Sequence, residues 1–353
     1  MTVIFAILLF SFLIFIHELG HFVAAKLSGV QVNEFSMFMG PAIFKKQVGE
    51  TLYSIRCIPV GGYCAMEGED KDSDNPRAFG RAKWWKRLII LVAGAFMNFV
   101  VGVLIMVIVY MPAKQFVVPV IESFEAYSTV NGTHGLQTGD RILEVDGEKV
   151  YLMSDFNMLL SLYPSDSHDL VVDRGGSKVY LNDLPMEKHA FTDENGNEMM
   201  LYGMNFTKIP ADMPAKLSYA WNSSLNTVRS VRLSLKMLFT GQAGLKDMSG
   251  PVGIVQIMSE SAAASDTVAD AVLNMLYFGG FLAINLAVMN LLPIPALDGG
   301  RVVALLLTTA VESITKKKID PKYEGYIHGA GMILLLGLMA LVMFKDILVI
   351  FRG

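Results

Sequence analysis

Between Val3 and Ala25 the only ionisable side chains are His17, Glu18 and His21, and the rest of the stretch is almost wholly apolar. A run of that length and character reads as a membrane-spanning helix. In hydrocarbon, three ionisable groups cost several kcal/mol unless something pairs with them. Helical pitch sets residues four apart on one face. His17 and His21 therefore present two imidazoles to the same point, with Glu18 about a quarter-turn round. Two neutral imidazoles suit zinc, and an adjacent carboxylate can take a proton from a water that the metal activates. Phe15-Ile16-His17-Glu18-Leu19-Gly20-His21-Phe22 is thus read as half of a metal centre inside a membrane span.

The whole chain agrees with a membrane setting. Of its 353 residues 53% are hydrophobic, too many for an ordinary soluble domain and enough for a membrane core plus one small extramembrane domain. A net charge of −4 gives no basic footprint for a nucleic-acid partner. Cys57 and Cys64 form no Cys-x-x-Cys, have no histidine nearby, and are read as reduced. The start does not read as a cleavable signal peptide. No Lys or Arg precedes the apolar run, and the first basic residue, Lys26, follows it. That order expects the amino terminus outside and residue 26 onward in the cytosol.

Residues 1–30 are then the first span. In 31–87, Val32, Phe35, Phe38, Ile43 and Phe44, then Leu52, Tyr53, Ile55, Cys57, Ile58 and Val60, read as short strands punctuated by Gly40, Gly49, Gly61 and Gly62. Too short to span, they are expected to form a hairpin that dips toward the membrane or packs on the site. Residues 67–78 read as a solvated acidic loop rather than a calcium loop, since the distal Glu is missing. Arg77, Arg81, Lys83, Lys86 and Arg87 abut a second apolar run, 88–111, and mark its start as cytosolic. Trp84 and Trp85 fit the interfacial belt. Asn98 within this helix is either a helix–helix hydrogen bond or part of the site.

Residues 112–210 turn polar. Arg141–Val145, Asp146-Gly147 and Glu148–Val150 read as strand, tight turn, strand, and Leu170–Leu181 as a second hairpin. A small mixed-β domain on the outer face is expected, with His134, His168 and His189 on its surface. In 211–270 the apolar residues Leu217, Trp221, Leu225, Val228, Val231, Leu235 and Leu238 recur at three and four, giving one amphipathic helix, either lying at the membrane surface or packed as an ordinary helix. Ser249-Gly250-Pro251-Val252-Gly253-Ile254 follows as a break. A third membrane segment is assigned to 271–310. Lys316, Lys317, Lys318 and Lys322 mark a cytosolic loop at 311–328, and 329–353 hold a fourth span. Both termini are thereby expected outside.

Two imidazoles leave zinc short of a third protein ligand. The third segment runs inward like the first, and breaks at Pro293 and Pro295 just before Leu297-Asp298-Gly299-Gly300-Arg301. Asp298 and the His17–His21 pair are therefore expected in the same, cytosolic leaflet. Asp298 is either that third ligand or the N-cap of a helix starting near Arg301. Ligation is the assignment made here, because non-helical backbone at membrane depth is tolerated where it lines a cavity.

Several motifs then stand in order along nearly the whole chain: His17-Glu18-Leu19-Gly20-His21; Pro59-Val60-Gly61-Gly62-Tyr63; Gly94-Ala95-Phe96-Met97-Asn98; Ser249-Gly250-Pro251-Val252-Gly253-Ile254; and Asn290-Leu291-Leu292-Pro293-Ile294-Pro295-Ala296-Leu297-Asp298-Gly299-Gly300. In these the chain resembles the intramembrane zinc metalloproteases of the site-2 protease family, in the bacterial branch typified by the regulator of sigma-E protease. The resemblance implies that residues 31–66 are a membrane-associated β-hairpin that guides substrate. It also implies that the outer domain is a single PDZ-like domain, and that Asn285 and Asn290 engage the substrate backbone. Two stretches depart from the family pattern: Met37-Phe38-Met39-Gly40-Pro41 is less glycine-rich than usual, and Thr129–Leu136 replaces the usual lead into the PDZ turn, so a steric filter is the role expected of that domain.

The reading is thus a polytopic α-helical membrane protein with four transmembrane helices, a membrane-associated β-hairpin and one extracytoplasmic PDZ-like mixed α/β domain. Zn2+ on His17, His21 and Asp298, with Glu18 as general base and then acid, would hydrolyse peptide bonds within transmembrane helices. By resemblance the partners are single-span membrane proteins, anti-sigma-factor-like or remnant signal peptides, met in the lipid bilayer. One rival is a metal-binding scaffold that does not cleave. Another is a divalent-cation transporter, which would carry paired repeats; none is visible.

Overall fold

The computed structural model describes residues 2–69, 73–132, 134–162, 165–192, 198–244, 246–316 and 322–352. Lys71 of the acidic loop and Lys317 and Lys318 of the charged loop lie outside them. Two compact units form: Met1–Val109 with Thr227–Gly353, and Tyr110–Asn226.

The first unit starts with helix α1 (Thr2–Ser28). Gly29, at φ +80°, and Val30 close it by donating back to Lys26 and Ala25 at 3.1 and 2.9 Å, the left-handed stop that glycine makes cheap. Strands β1 (Val32–Val48) and β2 (Thr51–Met66) follow. They are far longer than the short strands expected, yet they bend so that four short pieces lie side by side. Residues 34–37 pair with 62–65 on one side and 52–55 on the other, and 44–48 pair with 51–55. The 62–65 piece is left at one edge. This sheet packs on α1 through Phe35, Cys64 and Met66, which share a buried cluster with Ala25, Ile90 and Leu91. Ser11 Oγ donates to the Pro59 carbonyl at 2.7 Å and ties the strand lower on the helix. Both cysteines are free, Cys57 exposed and Cys64 buried.

Helix α2 (Trp84–Tyr110) crosses α1 closely. A Cβ at Gly20 would strike the Ala93 carbonyl, the small-residue contact that lets helices associate where lipid supplies no hydrophobic drive. Asn98 is buried, and its Oδ1 has no hydrogen-bond partner among the described residues.

The Tyr110–Asn226 unit holds β3 (Gln115–Phe124), β4 (Arg141–Val145), β5 (Glu148–Lys149), α3 (Met153–Leu162), β6 (Ser167–Arg174), β7 (Ser177–Pro185), a β8 (His189–Thr192) and β9 (Glu198–Leu201) hairpin, and β10 (Met204–Pro210). The sheet order is β10-β3-β4-β6-β7, with β5 on β4. Both expected hairpins are present, turned by Asp146-Gly147 and Gly175-Gly176. Phe156, Leu159, Ile142, Leu170 and Val172 fill its core. Asp140 is 1% exposed and takes Arg174 at 2.7 Å, pinning the turn before β4. His168 corrects the surface assignment. It is buried on the Leu170–Val172 face of β6, and its Nδ1 meets Asp146 Oδ2 at 2.7 Å. His134 is exposed and His189 half-buried.

Helix α4 (Met213–Thr240) is the amphipathic helix expected. Leu217, Trp221, Leu225 and Leu238 of its apolar stripe are exposed, while Ala220, Ser223, Ser224 and Thr227 are buried. The break at 249–254 is instead the start of a helix, α5 (Pro251–Ala263), with Pro251 in its first turn. Proline is favoured there because its missing N–H would be orphaned anyway. Two of the remaining orphan donors find a remote acceptor. Asp346 Oδ2 takes the N–H groups of Gly250 and Gly253 at 2.8 and 2.9 Å. A side chain on Gly250 would press on that carboxylate at 2.9 Å. Leu9 and Leu13 of α1 and Met258 of α5 pack with Leu282 and Ala283 of α6 (Val268–Asn290).

The expected segment 271–310 is two helices, α6 and α7 (Asp298–Thr315), separated by turns. Helix α8 (Lys322–Arg352) carries Asp346 and ends the fold. Among the described residues four helices are long and apolar enough to cross a membrane: Val3–Ser28, Trp84–Tyr110, Val268–Asn290 and Gly325–Val349.

Candidate metal centre

Helical pitch does in α1 what the sequence implied. His17 and His21 stand one turn apart, with Nε2 atoms 3.2 Å from each other. Asp298 comes to them from the first turn of α7. Its Oδ2 lies 3.0 Å from His17 Nε2 and 3.3 Å from His21 Nε2. The capping alternative does not hold: α7 starts at Asp298 itself, its N-cap is Leu297, and no side chain caps it. The carboxylate is thereby free to face the imidazoles. Gly299 and Gly300 make this position reachable, since a Cβ on either would strike the carbonyls of Leu291, Leu292 or Ile294. The close packing of the helix start on the preceding turn needs both glycines.

Each imidazole is oriented from behind. His21 Nδ1 lies 2.8 Å from the carbonyl of Ile90, a group that can only accept, so Nδ1 carries the hydrogen. The lone pair of Nε2 then points at Asp298 Oδ2. His17 Nδ1 faces the side-chain amide of Asn290 at 3.4 Å. The atom facing the ring is Nδ2; a half-turn of the amide, which exchanges nitrogen for oxygen, would let it accept from Nδ1–H and leave His17 Nε2 its lone pair. Gly94 of α2 backs both rings; a Cβ there would strike His21 Nε2 and lie 2.8 Å from His17 Cε1.

Three potential metal-ligand atoms thus converge in a largely buried place, with side chains 9–19% exposed. Asp298 Oδ2 is buried and, among the described residues, makes no hydrogen bond of good geometry despite its two nitrogen neighbours. Left to themselves the three would repel. A cation resolves that. Two zinc ligands at about 2.0–2.1 Å and a tetrahedral angle stand about 3.3 Å apart, close to the separations here. The donor set fits zinc, and His17, His21 and Asp298 are the group of metal-ligating side chains that converges among the described residues.

The remaining predicted residues fall around this point. Glu18 is half-buried, receives the backbone amide of Cys64 from β2, and lies within electrostatic range of His17, His21 and Asp298. Gly62, on the same edge piece, is close enough that a Cβ would sit 3.7 Å from Glu18 Cγ. Asn290 is at the site as His17's neighbour. Asn285, half-buried on α6, makes no side-chain hydrogen bond among the described residues.

Two contacts at the site were not anticipated. Arg301 Nη1 pairs with Glu69 Oε1, joining the start of α7 to the end of β2. His328 Nδ1 accepts from the backbone N–H of Ala296 at 3.0 Å.

Comparison with known proteins decides what this centre belongs to. Residues 5–338 match the model of peptidase family M50. The chain belongs to that family, the site-2 proteases. A Clostridium perfringens protein named zinc metalloprotease is 36% identical, covering 99% of each chain. One from Clostridium acetobutylicum is 34% identical over 98% of this chain and 97% of its own. The regulator of sigma-W protease RasP of Bacillus subtilis is 27% identical over 98% of both. This M50 peptidase is therefore a zinc-dependent metalloprotease and a polytopic membrane protein.

Proposed function

We propose that this peptidase is an intramembrane endopeptidase that cuts single-span proteins within their transmembrane helices, with His17, His21 and Asp298 as zinc ligands. The observation that supports it most is the three-atom convergence on a helix whose length and apolarity suit a membrane span. Zinc, when bound, supplies positive charge that acidifies a water and polarises the scissile carbonyl. Glu18 is the general base that takes the proton of the attacking water and then delivers it to the leaving amine nitrogen. Ile90 holds the His21 tautomer that leaves its Nε2 free, and Asn290, with its amide oxygen turned to His17 Nδ1, would do the same for that ring.

A substrate helix hides its peptide bonds and must unwind before attack. The 62–65 edge of the bent sheet, whose Cys64 N–H is held by Glu18, offers a strand edge on which an unwound segment adds. Asn285 and Asn290 are assigned to the same backbone, Asn290 from beside His17. Four spans, both termini outside and an active site near the cytosolic leaflet follow from the charge pattern. In this reading 112–210 is the PDZ-like domain that filters by size. The B. subtilis relative is named a regulator of sigma-W protease, which supports anti-sigma-factor-like substrates in regulated intramembrane proteolysis; remnant signal peptides are a second class of the same chemistry. Mass mapping of products from a single-span reporter tests this. Cuts are expected inside the lipid-embedded segment, and cuts confined to extramembrane segments would overturn it.

A further inference from the structure

The segment 291–297, which delivers Asp298, is short, contains Pro293 and Pro295, and is not helical. Ala296 within it sits at φ +79°, in the left-handed region. A non-glycine residue keeps such a conformation only when its surroundings hold it there. Two of the holding contacts come from one face of α8. His328 Nδ1 accepts the Ala296 N–H at 3.0 Å. One turn on, Gly331 lies against Pro295 so closely that a Cβ would strike the proline ring and sit 2.7 Å from its carbonyl oxygen. An acceptor and an absent side chain, three residues apart on a helix, thus grip two consecutive residues. Asp298 begins two residues later.

We propose that His328 is a positioning residue for the metal centre. It accepts the Ala296 N–H, fixes the left-handed turn, and thereby sets where the Asp298 carboxylate stands relative to His17 and His21. The Gly331 contact is the steric half of the same clasp. Helix α8 is then part of the metalloprotease site although it contributes no ligand. The proposal rests on Asp298 being a zinc ligand, as proposed above. Metal ligands tolerate displacements of only a few tenths of an ångström, and residues that orient ligands typically govern roughly 10–100-fold in metal affinity.

The test uses the full-length zinc enzyme in detergent and compares zinc retention against a competing chelator with activity on a single-span reporter and with apparent melting temperature. His328→Leu removes the acceptor at similar bulk. It is expected to release zinc at about tenfold lower chelator concentration, with kcat reduced, KM little changed and melting lowered only slightly, by the loss of one hydrogen bond. His328→Asn places an amide oxygen near the position of Nδ1 and is expected to recover most of the zinc retention. Gly331→Ala, which pushes on Pro295 while leaving His328 intact, should reproduce the loss. It also carries the test should His328→Leu fail to fold. Retention equal to wild type in His328→Leu, or in Gly331→Ala where that variant carries the test, overturns the proposal. So does an equal loss in His328→Leu and His328→Asn. Asp298→Ala run in parallel separates the two readings. Full zinc in that variant removes the ligand assignment itself, whereas loss there with retention in His328→Leu removes only the clasp.

Discussion

Gly94→Ala adds one methyl group at the most crowded point behind the metal centre. The new Cβ would collide with His21 Nε2 and lie 2.8 and 2.9 Å from Cε1 and Nδ1 of His17. Carbon contacts relax near 3.5–4.0 Å, so the rings must move away by about 0.6 Å or more. Both rings stand on α1, which Gly20 already holds against Ala93, so they cannot retreat independently. Functional groups of this kind need placement within about 0.5 Å, and a shift of that size separates the nitrogens from Asp298 Oδ2. We expect the purified variant to hold well under one zinc per chain and to lose at least about 100-fold in cleavage of a single-span reporter. The overpacking itself should cost about 1–3 kcal/mol. Gly102→Ala is the matched control: its Cβ would meet Ile284 Cγ1 at 2.5 Å, two turns from the imidazoles. It should destabilise the fold by a similar amount while keeping the zinc. Elemental analysis of both proteins reads the difference. Full zinc and full activity in Gly94→Ala would refute the reasoning.

Asp346→Ala strips the buried N–H groups of Gly250 and Gly253 of their acceptor; about 2–3 kcal/mol should be lost, seen as lower apparent melting, with Asp346→Asn milder because it keeps one oxygen. Glu50 is held down to about 2 by hydrogen bonds from Arg77 and Lys26. A depressed carboxylate stabilises the fold above its ordinary range and loses that contribution as pH falls toward 2. Protease nicking near the 49–50 turn should therefore rise between about pH 4.5 and 2, and Glu50→Gln should remove that pH dependence. Cysteine labelling should find positions near Lys71 and Lys317 cytosolic and positions near Glu148 external; the reverse pattern would overturn the proposed orientation.

The metal centre was readable because its strongest part is local. The i, i+4 histidines need only a helix, and the charge rule then expects Asp298 in the same leaflet. The same local signals expected the Asp146-Gly147 and Gly175-Gly176 hairpins, both present. What escaped is held by partners remote in sequence. Helix α5 looks like a loop at Ser249–Ile254 because its cap, Asp346, lies 93–96 residues away. His328 lacks a ligand spacing and acts on a backbone amide, which no motif records. The four-piece order of the bent sheet depends on long-range pairing that alternation alone does not specify. His168 is different, since its signal was present: period two along β6 sets it with Leu170 and Val172 on the buried face.

Cleavage by Glu18→Gln tests the central claim most directly. The amide is nearly isosteric but takes no proton from water at neutral pH. The full-length variant, loaded with zinc and presented with a single-span reporter, should keep about one zinc per chain and copurify with uncut substrate. Its cleavage rate should fall by roughly 100-fold or more, the usual worth of a positioned acid–base group. An unchanged rate, with His17→Ala inactive beside it, would contradict the account and assign the base to another residue.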